Sequence, residues 1–267
     1  MRRLLLCADD FAFSSDVSAV IAGLASRGKL NATSCMAIMP GWSADSALLR
    51  DLPAHVEIGL HLVLTGEVPL TDLGDLTENG TLPDIDPLAR RAARGDLPLA
   101  AIAREIAAQF DRFIDALGRP PAFVDGHEHC HALPGVRQIM LAETARRAPQ
   151  AWIRDCVDGL FAMLARPFPG KAIGSAWHSR GLRAAAAAQG LRCNDGFAGH
   201  YGFAGDYAAI FPRFLRAPGK MHLVMCHPGA GSRPGDDIAA ARVVEAAALE
   251  TLQIDQIAAK HGLAFPI

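Results

Sequence analysis

Seven short apolar runs with β character recur along the chain, and segments of helical period lie between them. The runs are RLLLCA (3–8), ATSCMAIM (32–39), VEIGLHLVL (56–64), AFVDGH (122–127), AWIRDCV (151–157), GLRCND (190–195) and MHLVMCH (221–227). The clearest helix is LAAIAREIAAQFDRFIDALG (99–118), where Ile102, Ile106, Phe110, Phe113 and Leu117 repeat at helical spacing. Gly118 and the prolines after it stop that helix. Further helices are expected near 16–27, 136–147, 206–216 and 238–260. Strands that alternate with helices build a parallel sheet. With 267 residues, the expectation is a single α/β domain whose parallel sheet is either a barrel of the TIM type or a doubly wound layer. Residues 66–98, rich in Gly, Pro, Asp and Thr, break the rhythm. A connection of that length is expected to serve as a lid or a cleft wall.

Composition narrows the partners. The formal net charge of −2 offers no basic footprint for nucleic acid and no polybasic face for a membrane. No apolar run reaches the roughly 20 residues of a spanning helix, and the start of the chain is too short in apolar residues for a secretory signal. Six cysteines form no CxxC pair, which reads as reduced, buried thiols in a cytoplasmic protein. The apolar content, 51%, fits either one large core or a homodimer interface.

Acids and histidines collect where the strands end. The first run ends in Asp9-Asp10, the third carries His61, the fourth runs into DGHEHCH and the last ends in CHPG. In parallel α/β folds these ends share one face, and ligands bind there. A carboxylate with imidazoles suits one divalent metal ion with positions left for water or substrate. Two adjacent acids can then divide the labour, one binding the ion and the other acting as base. An extended DGHEHCH would put Asp125, His127, His129 and His131 on one side. Spacing alone does not choose among them, and Asp125 could instead orient a histidine. Donor softness suits zinc, and such an open site also accepts magnesium.

Four stretches together resemble the YdjC-like carbohydrate deacetylases, a family that includes chitooligosaccharide and hopanoid-associated members. They are ADDF (8–11), GLHLVLTGEVPL (59–70), DGHEHCHALP (125–134) and MCHPG (225–229). The resemblance implies an irregular (β/α) barrel that removes N-acetyl groups from amino sugars with a divalent metal. It assigns Asp10, His61 and His127 to the metal and Asp9 to the base. His227 and His131 become active-site residues near the leaving amine, and Arg154 a substrate contact. Where the family carries Gly after ADDF this chain has Ala12, so a left-handed backbone there would be strained. Two other readings stay open. One is a phosphoesterase or amidohydrolase-type metal hydrolase, prompted by the HxH spacing. The other is a sugar-binding protein without turnover.

Overall fold

A computed structural model describes residues 2–231 and 233–266. The chain runs β1 (Arg2–Phe11), α1 (Ser15–Ser26), β2 (Ala32–Cys35), α2 (Trp42–Asp45), β3 (Glu57–Leu62), α3 (Ile85–Arg94) and α4 (Leu99–Leu117). It continues through β4 (Phe123–Gly126), α5 (Val136–Arg147), β5 (Trp152–Ile153), α6 (Leu160–Ala165), α7 (Pro169–His178) and α8 (Leu182–Ala188). The last elements are β6 (Arg192–Cys193), β7 (Gly196–Ala198), α9 (Tyr207–Phe214), β8 (Met221–Cys226), α10 (Ala239–Thr251), α11 (Ile254–Lys260) and β9 (Leu263–Ala264).

The strands form one curled parallel sheet in the order β6-β5-β4-β3-β2-β1-β8-β7, with β9 added beside β1. This is the expected α/β barrel, left open along one seam. Its two edge strands, β6 and β7, are consecutive in sequence and separated only by Asn194 and Asp195. No ladder joins them among the described residues. Instead the buried Asn194 side chain donates to the Asp155 and Gly196 carbonyls and accepts from the Asp155 N–H at 2.7 Å.

Strand alternation sorts the core into two parts. Leu4, Leu6 and Ala8 of β1 join Ile58, Leu60 and Leu62 of β3 and Val124 of β4 beneath the helices. Leu5 and Cys7 join Phe123, Trp152, Phe197, Leu223 and Met225 in a smaller cluster on the sheet's inner face. The same parity, carried on, puts Asp9, His61, Asp125, Arg154 and His227 on the inner face above that cluster. The barrel's apolar floor therefore supports a polar layer.

Several expectations change. Residues 66–98 are not structureless, since they contain α3. The span 238–260 breaks into α10 and α11 at Leu252–Gln253. The segment 160–188 holds three helices that short Ala- and Gly-rich stretches did not announce. Residues beyond Gly126 do not continue as a strand: His127–Ala132 turns as a 3-10 helix, with Glu128 and His129 at φ of 50° and 60°.

Candidate active site

The adjacent acids of β1 part because the backbone turns between them. Asp10 has φ +66°, Ala12 has φ +74°, and the register with β2 shifts between Ala8 and Phe11. Both carboxylates thus reach one cavity, where a regular strand would have sent them to opposite faces. The turn is fixed from behind, as the Ala12 N–H donates to Ser18 Oγ at 2.9 Å and that hydroxyl donates to Asp45.

Asp10 meets the histidines. Its Oδ1 lies 3.1 Å from His127 Nδ1 and 3.4 Å from His61 Nε2. One ligand atom from each of the three falls within 4.8 Å of the others. Parallel pairing sets His61 beside Asp125, and His61 Nδ1 lies 2.7 Å from Asp125 Oδ1. That carboxylate, which also accepts from Ser34, fixes the ring so that Nε2 turns to the site. Burial works against a charged His61, yet Asp125, Asp10 and Asp9 together push it up to about 10. Burial likewise opposes the Asp10 carboxylate, but His127, His61 and Arg242 hold it well below the usual range.

Asp9 has a different keeper. Arg154, wholly buried, donates from Nη1 to Asp9 Oδ2 at 2.6 Å and from Nη2 to Oδ1 at 2.5 Å, and it also pairs with Asp125. Such a two-point clamp fixes the carboxylate plane. Asp9 Oδ2 then stands 4.0 Å from His227 Nε2. Burial holds His227 below its ordinary range. Behind it, Glu245 accepts from the His227 N–H and the Tyr201 hydroxyl, and burial pushes its carboxyl up to about 7.

Asp9, Asp10, His61, His127 and His227 all line a cavity of about 730 Å³. Two other residues assigned by resemblance do not reach it. Arg154 is enclosed by Asp9 and Asp125, so it contacts the acids and not a ligand in the cavity. His131 is buried with Nε2 donating to the Arg154 carbonyl at 2.9 Å, and burial holds its ring down at about 4. The turn after β4 sends His129, not His131, to the cavity.

Residues without a sequence signature complete the walls. Arg242 on α10 donates to Asp10 Oδ2 at 2.8 Å and pairs with Asp236. Buried charges at 242 and 245 on an otherwise Ala-rich helix were its only trace. His200, which lacks a motif, faces the cavity from the loop after β7. That loop presses so close to β8 that a Cβ at Gly199 would sit 2.3 Å from the Met225 carbonyl. Ile85 and Asp86 of α3 and Lys171 and Ser175 of α7 close the other side.

The donors fit a metal ion. One carboxylate and two imidazoles converge, and one imidazole is oriented by an outer carboxylate. Four carboxylates, Asp9, Asp10, Asp125 and Asp236, stand at or beside these donors, with Arg154 and Arg242 between them. A second grouping, Cys7 with Asp9 and Asp125, already surrounds Arg154, whose Nη2 lies 3.5 Å from Cys7 Sγ.

Fold and site together define an open α/β barrel with an Asp-His-His cluster at the carboxyl ends of its strands. The chain belongs to the YdjC-like protein family, whose sequence model matches residues 3–260. It is 33% identical over 233 residues to the chitooligosaccharide deacetylase of Salmonella typhi, covering 85% of this chain and 81% of that one. The chitooligosaccharide deacetylase of Enterobacter sp. is 35% identical over 146 residues, 55% of this chain and 57% of its own length. Among solved structures, a protein from Enterococcus faecalis described as a cellobiose-phosphate cleavage protein superposes with a TM-score of 0.73. It is 18% identical, with 99% of this chain and 97% of that chain covered, and it shows the fold.

Proposed function

We propose that this protein is a carbohydrate deacetylase that hydrolyses the N-acetyl group of an amino sugar. The observation that carries this reading is the division of the two acids: Asp10 joins two imidazoles, while Asp9 stands free of them, clamped beside His227. Relatives named chitooligosaccharide deacetylase support the substrate class.

Asp10, His61 and His127 would hold one divalent ion, magnesium or zinc, with Asp125 orienting His61. When bound, such an ion supplies Lewis acidity to an amide carbonyl and acidity to water. Asp9 takes the proton of the attacking water, and the two bonds from Arg154 keep its carboxylate aimed. His227, neutral through burial, receives that proton at Nε2 and returns it to the departing nitrogen. The C–N bond breaks, giving acetate and the free amine. His129 and His200 line the same cavity, where their rings would meet the sugar. Residues 66–98 serve as one wall of the cleft, through Ile85 and Asp86. The six free cysteines, five of them buried, support a reducing, cytoplasmic setting.

The test is acetate release from N-acetylated glucosamine oligomers by chelated protein, with magnesium, zinc, manganese or cobalt restored in turn. Release that returns with one ion supports the reading. Folded, metal-loaded protein that releases phosphate from sugar phosphates but no acetate would overturn it.

A further inference from the structure

Large apolar side chains are thinly scattered over the surface except in one place. Of eleven exposed ones among the described residues, Leu160, Phe161, Leu164, Phe168, Ile173 and Trp177 all lie on α6, α7 and the turn between them. Phe161 is 79% exposed and Trp177 66%. The two helices pack on each other, so these side chains belong to one region. An apolar cluster of this size on a water-facing surface marks an interaction site.

Charge in the same segment is one-sided. From Gly159 to Asn194 there is no Asp or Glu, while Arg166, Lys171, Arg180, Arg183 and Arg192 all fall there. Arg166 is buried against Asp158, and Arg183 pairs with Asp155. Arg180 remains exposed beside Trp177, while Lys171 turns to the cavity and Arg192 lies on β6 near Arg3 and Met221. The Arg180 guanidinium lies 4.6 Å over the Trp177 ring, so cation and aromatic plane are presented together. Arg216 adds another cation, reaching the Ala165 carbonyl at the end of α6. The near-neutral charge of the whole chain conceals this local excess.

The helix α7 has two working sides. Lys171 and Ser175 line the catalytic cavity, and Ser175 and His178 line an adjoining groove of about 580 Å³. Ile173 and Trp177 lie about 200° around the helix from Lys171 and Ser175, by the 100° step per residue. The apolar face and the cleft are thus opposite sides of one helix.

We propose that α6 and α7 dock the protein on an anionic lipid surface. Trp, Phe and Leu side chains with flanking cations are the chemistry of an interfacial anchor. The charge pattern selects this occupant over a second copy of the chain. A two-fold pairing of this face would set Arg180 and Arg216 against their own copies, and α6 and α7 themselves carry no acid to meet them. The docking stands apart from the reaction proposed above, and its test does not read turnover.

The full chain is mixed with vesicles of phosphatidylcholine alone, or of phosphatidylcholine with phosphatidylglycerol, and floated on a density gradient. Flotation with the mixed vesicles only, reversed by salt, is expected. Tryptophan emission should shift to the blue on binding. Trp42 and Trp152 are already buried, so Trp177 is the reporter. Phe161→Ser with Trp177→Ser should lower the bound fraction at least about tenfold, as should Arg180→Glu with Arg216→Glu, which keeps the apolar face. Both double variants should keep the wild-type unfolding midpoint. No flotation, or equal flotation with neutral vesicles, overturns the proposal. So does a stable dimer in sedimentation equilibrium that Phe161→Ser dissolves.

Discussion

The two walls of the cleft are built differently. On the side of β1, β3 and β4, carboxylates are fixed by guanidiniums and imidazoles through more than one contact each: Asp9 by two bonds from Arg154, Asp10 by Arg242, His61 and His127, with His61 held in turn by Asp125. On the side of α7 and the loop after β7, Lys171 makes one bond, to the Tyr201 carbonyl, and His200 leaves a buried nitrogen unpaired. Groups that meet developing charge must be fixed before the reaction begins. Groups that meet a ligand gain from keeping a free donor or acceptor. The contrast fits the proposed reading, with one wall serving chemistry and the other recognition.

The largest expected effect lies on the first wall. Asp9→Asn should lower acetate release by about 10²–10⁴-fold, the usual worth of a general base, while metal analysis finds the ion still bound. Arg154→Met should cost about 3–5 kcal/mol in urea unfolding, since it strands the buried Asp9 carboxylate and takes one of the partners of Asp125. Ser175→Ala on the second wall should stay within about 0.5 kcal/mol of wild type and raise KM instead. Equal losses from the two variants would erase the distinction between the walls.

A pH series sharpens the comparison further. Burial raises the Asp125 carboxyl, but Arg154 and His61 outweigh it and hold the group at about 2. A carboxyl depressed on folding stabilises the fold above its unfolded value, and that contribution is lost as pH falls through the folded one. Asp125 should therefore contribute on the order of 2 kcal/mol at neutral pH. The stability gap between wild type and Asp125→Asn should narrow from about pH 4 down to about pH 2. The smallest effect is at the turn after β1. Ala12→Gly should gain less than about 1 kcal/mol in thermal unfolding, because φ +74° strains alanine but not glycine.

Much of the first wall was legible because it obeys strand parity. Residues 5, 7 and 9, or 223, 225 and 227, alternate inward, and the acids and histidines fall at the last inward position before each strand ends. Asp10 escaped parity, since a single left-handed residue is invisible in residue type when it is not glycine. His131 and Arg154 showed their identity but not their direction, because the turn at His127–Ala132 and the neighbouring acids decide where they point. The second wall left almost no trace. His200 and Lys171 come from loops and a short helix, and their approach depends on tertiary contacts such as Gly199 against Met225.

The sheet's seam carries a mechanical consequence. A barrel closed by a ladder resists parting along many bonds at once, whereas this one is fastened where Asn194 stands in for a missing strand pair. Arg154, which holds Asp9, directly precedes Asp155, whose N–H and carbonyl are the points that Asn194 grips. The aim of Asp9 is thus tied to a clasp at the seam, which Asp158 reinforces by accepting from the Phe197 N–H of β7, so that loosening the seam should disturb Asp9 before it unfolds the protein.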